Sequence, residues 1–370
     1  MRSPTSRPGP RFAALIGALS LVVAACSAGA GSSPSTAPET PTASPVASVA
    51  PSTVASPSPA LSGSITVYNA QHESLTQAWA DAFTAATGVT VTLRNGSDSE
   101  LGNQIVEEGA ASPADVFLTE NSPAMALVER AGLFAPVDAA TLDQVPVAYR
   151  PSTGMWTGIA ARSTVFAYNP TILPEADLPA SLLDLQEPAW KGRWAASPGG
   201  ADFQAIVSAL VELEGEPSAS AWLDGMKSNF TAYQGNRAVM AGVNAGEIPG
   251  GVIYHYYWFG DQANTGENSG NVKLHFFKGQ DPGAFVSVSG GGVLATSQNP
   301  TAAQAFLAFI TGVDGQTILQ TGDSFEYAIA SDVAANAALP PLDSLEAPVV
   351  DPSTLDSQQT TELMTTAGIL

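Results

Sequence analysis

The sequence predicts an α/β protein with two lobes joined by extended crossings, and three observations lead to this expectation. The chain has 370 residues, which is enough for two domains of ordinary size. Hydrophobic residues make up 45% and charged residues 13%, so most of the chain is expected to be globular. Short β-type runs alternate with helical patterns, which indicates βαβ units and a parallel sheet covered on both faces.

The composition argues against several function classes. Acidic residues number 34 and basic residues 13, and the formal net charge of −21 argues against binding to nucleic acid. One cysteine excludes a disulfide framework, and three histidines leave little room for a His-rich metal centre. Any metal chemistry must therefore use mainly oxygen ligands. The sequence also lacks the serine-hydrolase elbow, the phosphate loop and the zinc-protease motif, so we expect no enzyme.

The N-terminus has the pattern of an exported, lipid-anchored protein. Three arginines precede an apolar run, residues 12–25, that is too short to span a membrane. The run ends in Val-Ala-Ala-Cys, which resembles a bacterial lipobox with Cys26 as the lipidated residue. Residues 1–25 are thus predicted to be a lipoprotein signal peptide, and lipid on Cys26 would hold the protein on the outer face of the membrane. The alternative is an ordinary signal peptide followed by a chance cysteine.

A tether is predicted to separate the anchor from the folded part. Residues 26–62 are rich in Ser, Pro, Ala and Thr and contain no aromatic residue. Such a segment buries too little apolar surface to offset the entropy lost on ordering, so we expect it to be disordered. The lobes should follow, with 63–163 plus 288–336 forming the N-terminal lobe and 164–287 plus 337–370 forming the C-terminal lobe.

The first half of the folded part predicts strands and helices in alternation. Strands are expected at 65–68, 89–93 and 115–118, and helices at 74–87 and 101–108. In α/β sheets, ligands bind beyond the carboxyl ends of the strands. His72 follows the first strand and Glu120 follows the third, so both become candidate site residues.

The second half continues the same pattern. Strands are expected at 164–168, 251–257 and 285–294, the last broken by three glycines, and helices at 202–213, 219–226 and 302–310. Crossings near 162–168 and 284–289 would leave a cleft between the lobes, which is a preferred place for a ligand. Successive strand residues point to opposite faces, so Tyr256 and Tyr257 can meet at one site only if the strand ends near Tyr256.

Each candidate segment also has a purely structural interpretation. The aromatic run around Tyr256 is also consistent with a strand packed in a core. His72 is also consistent with a residue that caps or packs at a strand-to-helix loop, and Glu120 with a cap on the helix near Pro123.

Taken together, the segments resemble the ferric-ion-binding periplasmic proteins, the substrate-binding components of bacterial iron ABC transporters. The resemblance runs from about Ser64 to the C-terminus and is carried, in order, by residues 65–73, 112–120, 256–258, 281–284 and 297–300. It implies the two-lobe periplasmic-binding-protein fold. It also implies that His72, Glu120, Tyr256 and Tyr257 bind Fe(III), because these positions match the metal ligands of that family.

The chemistry of these four side chains agrees with a ferric site. Two phenolates and one carboxylate carry three negative charges, which balance the ion, and a neutral imidazole adds a fourth ligand. A free tyrosine has a pKa of about 10, and a bound trivalent cation strongly favours its anionic form. Zinc sites prefer Cys and His, and magnesium sites prefer carboxylates with retained waters. Two tyrosines argue against both of these metals.

The resemblance also implies that a small exogenous anion, phosphate or carbonate, or water completes the coordination. Gly199, Gly200 and Ala201 match the anion loop, and Asn236 matches a further contact. A helix N-terminus presents free N–H groups and suits an anion, although the loop is equally consistent with an ordinary glycine-rich helix entry. Asp202 follows the loop and would repel an anion if it pointed inward.

This chain departs from the family pattern at two anion contacts. Gly199 stands where the family often has a hydroxyl residue. Tyr254 and His255 stand where it often has Asn before the tyrosine pair. His255 is expected at the surface or in the core rather than as a replacement donor.

The sequence therefore predicts a monomeric, extracytoplasmic lipoprotein that captures Fe(III) and delivers it to an ABC permease. In a Gram-negative cell it would lie on the periplasmic side of the membrane. Alternatives within the same fold are a carrier of ferrous ion, a polyamine, thiamine or an oxyanion. A secreted metal-dependent hydrolase is a further alternative, and it would require a metal-bound water and a general base.

Overall fold

The computed structural model describes residues 61–330 and 332–370, and the structural statements below refer to these residues. The predicted signal peptide, the predicted lipidation site Cys26 and nearly all of the predicted tether lie outside the described residues. No described helix combines the length and the apolar character needed to cross a membrane.

The described residues form strands and helices in alternation, as the patterns predicted. The strands are β1 Ser64–Asn69, β2 Thr90–Asn95, β3 Val116–Leu118, β4 Thr157–Tyr168, β5 Trp194–Ala196, β6 Phe230–Ala232, β7 Gly250–Tyr254, β8 Lys273–His275 and β9 Val286–Val293. The helices are α1 Glu73–Thr87, α2 Asp98–Glu108, α3 Ser122–Arg130, α4 Ala139–Leu142, α5 Ala201–Glu214, α6 Glu216–Asn229, α7 Asn236–Ala245, α8 Tyr256–Asn264, α9 Pro300–Thr311, α10 Val313–Thr321 and α11 Ser357–Thr366.

The strands of the described chain form a mixed sheet rather than the parallel sheet expected from the sequence. Their order is β2-β1-β3-β9-β4-β7-β5-β6, with β8 also pairing with β4. The two flanks, β2-β1-β3 and β7-β5-β6, are parallel, whereas β4 and β9 run antiparallel to their neighbours. The antiparallel pairs arise because β4 and β9 pass between the two flanks instead of returning through a βαβ crossover.

Strand β4 joins the two halves of the sheet. It pairs with β9 over residues 157–163 and with β7 over residues 164–168. Each half has its own apolar core, one around Trp79 and Phe306 and the other around Trp194 and Trp222. The lobe boundaries expected from the sequence stay a prediction, but the change of partner along β4 occurs within the predicted crossing.

The helix α1 shows how the local sequence sets the frame of the site. Leu75, Trp79 and Phe83 recur at helical spacing and are buried against the sheet. Gly88 ends the helix in the left-handed conformation, with a φ of 78° that glycine adopts without strain. His72 is the N-cap residue and so stands where β1 leads into the helix.

Two expectations for the second half are corrected by the structure. Strand β7 ends at Tyr254, and Tyr256 begins helix α8, so the tyrosine pair lies on a helix and not at the end of a strand. Strand β9 continues through its glycines without a break. Glycine is needed there for packing, because a Cβ on Gly290 would lie 2.3 Å from Met125 Cγ and one on Gly292 would lie 2.6 Å from Phe134.

Candidate metal centre

The structure places His72 and Glu120 side by side. His72 Nε2 lies 3.1 Å from Glu120 Oε1, although the two residues follow different strands. Strands β1 and β3 are parallel neighbours, so their carboxyl ends meet at one edge of the sheet. The His72 side chain makes no capping hydrogen bond to helix α1, which leaves the imidazole free to face the cleft.

Glu120 is held through its backbone and does not cap helix α3. Its N–H donates to Asp98 Oδ1 at 2.9 Å, and the next N–H, of Asn121, donates to Asp98 Oδ2 at 3.0 Å. Asn121 occupies the N-cap position of α3, so the Glu120 side chain remains available. Burial opposes its ionisation, but His72 and Arg162 outweigh that effect and lower the pKa of Glu120.

Tyr256 and Tyr257 lie in the first turn of α8 with their rings 4.2 Å apart. Successive residues of a helix are separated by about 100° around its axis, so both rings can face one site, which a strand would prevent. The ring of Tyr256 lies 5.0 Å from that of His72. Burial, and then the Asp202 carboxylate, raise the pKa of both phenols well above its usual value, so both phenols are protonated near neutral pH in the metal-free protein.

Asp202 is the side chain that connects the two tyrosines, and it points into the site. Its Oδ2 accepts hydrogen bonds from Tyr257 at 2.9 Å, from Tyr256 at 3.2 Å and from Asn236 Nδ2 at 2.8 Å. Its Oδ1 accepts a hydrogen bond from Asn121 Nδ2 at 3.0 Å. Sequence reasoning considered Asp202 only as a possible obstacle to an anion, and its only signal was its place in the first turn after a glycine-rich loop.

Most of the residues expected to bind an anion line a cavity beside Asp202, but one of them, Asn236, is already hydrogen-bonded within the protein. A cavity of about 460 Å³ is lined by Gly200, Ala201 and Asn236 together with Glu120, Asp202 and Tyr257. Gly199 lines a neighbouring cavity instead. Gly200 is the N-cap of α5 and provides no capping side chain. The side-chain amide of Asn236 already donates a hydrogen bond to Asp202 Oδ2 at 2.8 Å.

Arg162 is a site residue that sequence reasoning missed. It is fully buried on β4, and its Nη1 lies 3.4 Å from Glu120 Oε2 and 3.8 Å from Asp202 Oδ1. Burial opposes its charge, but Glu326 and Glu120 raise the pKa of Arg162 further above its usual value. The available signal was a lone basic residue in a strand that is otherwise apolar or uncharged.

His255 belongs to the core, as expected, and Tyr254 lies behind the site. His255 Nδ1 accepts a hydrogen bond from the Ser163 N–H at 3.1 Å, and its ring stacks on Tyr327 at 4.7 Å. Burial lowers the pKa of His255 to about 3, so it stays neutral. The Tyr254 hydroxyl lies 3.3 Å from the Asn121 side-chain oxygen and 3.3 Å from the backbone oxygen of Asp202.

The arrangement is one of hard oxygen donors around an imidazole. Within the described part of the chain, His, Cys, Asp and Glu side chains alone form no group of three that could hold a metal ion. Fully deprotonated, Glu120, Asp202, Tyr256 and Tyr257 would present four negative charges, which suits a trivalent cation better than a divalent one.

Comparison with known proteins identifies a family. The profile of the family described as bacterial extracellular solute-binding protein matches residues 111–348. The chain is 65% identical over 306 residues to a protein of Serratia marcescens named Fe(3+)-binding periplasmic protein, a match that covers 83% of this chain and 90% of that protein. It is 39% identical over 318 residues to the major ferric iron-binding protein of Neisseria meningitidis, covering 84% and 95%.

A solved structure gives the same result. Iron-bound HitA from Pseudomonas aeruginosa matches with a TM-score of 0.77 and 39% identity over 82% of this chain and 99% of that chain. The resemblance to ferric-ion-binding proteins and the two-lobe α/β fold expected from the sequence are thereby confirmed. These relatives are named as binding proteins and not as enzymes, in agreement with the expectation from the motifs.

Proposed function

Because the chain belongs to the bacterial extracellular solute-binding protein family, we propose that it captures Fe(III) in its cleft and delivers the ion to an ABC permease. The observation that carries the proposal is that two phenols, two carboxylates and one imidazole lie close together in space, although they are far apart along the chain. The ferric names of the relatives support the same cargo.

The proposed ligands are Tyr256, Tyr257, Glu120 and His72, as the sequence suggested. In the metal-free protein the hydroxyl groups of Tyr256 and Tyr257 donate hydrogen bonds to Asp202 Oδ2. Fe(III) would displace these two hydroxyl protons, because a trivalent cation strongly favours the phenolate form. His72 would bind through Nε2, the ring nitrogen that faces Glu120. A hydrolase would need a metal-bound water and a general base, whereas a carrier needs only to hold the ion.

We propose further that Asp202 supplies the negative charge that the sequence assigned to an exogenous anion. Its carboxylate is buried and accepts hydrogen bonds from both phenols and from the side-chain amide of Asn236. A phosphate or carbonate bound at the N-terminus of α5 would lie against this carboxylate, and two buried like charges repel each other. Gly199, Gly200 and Ala201 then form the entry to helix α5 and need no anion.

The location and partner in this proposal come from the sequence pattern and the family. The extracytoplasmic location agrees with the periplasmic iron-binding relatives. Lipid at Cys26 would keep the monomeric carrier close to its permease at the membrane surface, where a tether permits repeated encounters.

A titration of the purified protein with ferric salt tests the proposal. Phenolate ligands should produce a broad visible charge-transfer band that grows with iron up to one ion per chain and disappears with a chelator. Tyr257→Phe should weaken the band and the affinity, because it removes an anionic oxygen and keeps the ring.

Tyr233→Phe is the matched control for this titration. It also removes one hydroxyl, but that hydroxyl lies 3.3 Å from Glu247 on an exposed surface outside the site. Stoichiometric iron binding without a visible band would show that the tyrosines are not ligands. Tighter binding of zinc or of a polyamine than of Fe(III) would move the function to another cargo.

A further inference from the structure

We propose that Arg162 and Glu326, a fully buried ion pair behind the site, position the ferric ligands from both lobes. The inference rests on the proposed function, because it concerns how the iron ligands are held. Both side chains have an exposure of 0%, and a nitrogen and an oxygen of the pair are in direct contact. Burying two charges carries a large desolvation cost, so such a pair is weak evidence for stability and requires another reason.

Glu326 faces the imidazole of His72 from the side opposite the cleft. Its Oε2 lies 3.6 Å from His72 Nδ1 and has no hydrogen-bond partner among the described residues. Its Oε1 is occupied by Arg162 and by Gln71 Nε2 at 3.3 Å. Metal-binding histidines usually direct their second ring N–H at a carboxylate or carbonyl, which fixes the tautomer and the ring orientation. Glu326 is placed for that role and leaves Nε2 for the ion.

Arg162 contacts carboxylates that come from opposite halves of the sheet. Its Nη1 lies between Glu120, after β3, and Asp202, in the first turn of α5, at 3.4 Å and 3.8 Å. Its Nη2 donates to Ser289 Oγ at 2.9 Å, and Ser289 in turn donates to the Glu120 backbone oxygen at 3.0 Å. The Nη1 group makes no hydrogen bond to either carboxylate, so its positive charge attracts both at ion-pair distance, while Nη2 fixes the guanidinium through hydrogen bonds.

The position of Arg162 in the fold adds to the argument. It lies on β4 one residue before Ser163, the last residue that pairs with β9, and β4 pairs with β7 from Thr164 onward. Arg162 is therefore built into the strand that crosses between the two halves, and Glu326 meets it from the segment that follows α10. A charge at this point sets the separation of the ligands that each half contributes.

Removing the charges of Arg162 and Glu326 together distinguishes an effect on ligand position from an effect of net charge on ferric affinity. Loss of Arg162 alone would strengthen Coulomb attraction for a cation, and loss of Glu326 alone would weaken it. The double variant Arg162→Met with Glu326→Leu leaves the net charge unchanged. It removes both members of the closest buried pair, a replacement that is often neutral or stabilising for the fold, but it also takes the guanidinium away from Glu120 and Asp202.

The test compares ferric affinity in the wild type and in this double variant by competition with a chelator. We expect the double variant to bind iron about 10- to 100-fold more weakly, the usual effect of removing groups that orient metal ligands. In the gallium-loaded protein, the His72 Nδ1–H proton should be observed by NMR in the wild type and should exchange with water faster in the double variant. Gallium is used because it is trivalent and diamagnetic.

Two further variants keep the test decisive. Glu326→Asp retains the charge beside Arg162 but withdraws the carboxylate from His72, so it should weaken iron binding even if the double variant fails to fold. Arg150→Met with Asp143→Asn removes a surface pair at 3.7 Å and should leave affinity unchanged.

The outcomes separate this inference from the proposed function. A wild type that binds no Fe(III), or a Tyr257→Phe variant that binds it equally well, overturns the proposed function. A wild type that binds Fe(III) while the folded double variant and Glu326→Asp bind it equally well overturns the positioning role alone.

Discussion

Replacing Asp202 with Asn should weaken ferric binding strongly while leaving the metal-free fold intact. Asn has the same shape and still offers an oxygen to Asn236 and the phenols, but it removes one negative charge from the site. Burial, and then Glu120, raise the pKa of Asp202, because both oppose its negative charge. The substitution removes a buried charge but turns an NH2 group towards Asn121 Nδ2, which donates to Asp202 Oδ1 at 3.0 Å, so we expect only a small change in the thermal stability of the metal-free variant.

The expected loss of affinity follows from the position of the carboxylate. Asp202 Oδ2 lies 2.9 Å and 3.2 Å from the two phenol oxygens, so an ion that replaces their protons lies within about 4 Å of it. Two unit charges at that distance interact by about 1 kcal/mol in water and about 4 kcal/mol near a protein surface. For a trivalent ion the smaller value gives about 3 kcal/mol, which corresponds to a loss of about 100-fold or more.

Chelator competition at controlled phosphate concentrations measures this loss. If Asp202 supplies the negative charge in place of an exogenous anion, the wild type should bind iron with little dependence on phosphate. Asp202→Ala, which opens space at the N-terminus of α5, should bind iron weakly without phosphate and more tightly with it.

Asp115→Asn serves as the control for losing a buried carboxylate. Asp115 is also buried and accepts hydrogen bonds from the Thr66 N–H at 2.8 Å and from Ser297 Oγ at 2.6 Å, outside the site. Its variant should lose stability but not iron affinity. If Asp202→Asn binds iron as tightly as the wild type, or if wild-type affinity rises steeply with phosphate, the reasoning about Asp202 is wrong.

Three further predictions concern the ligands, pH and anchoring. Tyr256→Phe and Tyr257→Phe should each weaken iron binding more than His72→Ala does, because water can take the place of a neutral ligand but not of a charged one; equal losses in chelator competition would contradict this ranking. Burial opposes the charge on His72, but Glu326 and Glu120 raise its pKa, so affinity should fall as pH falls and fall more steeply below that raised pKa. Affinity that stays flat from neutral pH to about pH 4.5, near the pKa of a free carboxyl, would exclude these ligands. Cys26→Ser should release the protein from membranes in a detergent-partition assay, and identical partitioning of variant and wild type would exclude the lipid anchor.

Much of the local structure follows from the sequence alone because periodicity and end signals are local. The buried spacing of helix α1 and its glycine stop were predictable, and so was the position of His72 after β1. Glu120 after β3 was predictable for the same reason. The tyrosine pair was recognisable from the order of several separated segments. The sequence predicted the wrong secondary structure for that pair, because an apolar aromatic run is compatible with either a strand or a helix.

Only the tertiary structure decided which side chains meet. Asp202 contacts Asn121 and Tyr257, which are 81 and 55 positions away, and Arg162 contacts Glu326 across 164 positions. No local sequence pattern indicates that the first turn of α5 faces α8, or that the single arginine of β4 lies behind two carboxylates. The change of partner along β4 brings these groups together, because a strand that pairs with both halves of the sheet places the residues of each half around one cleft.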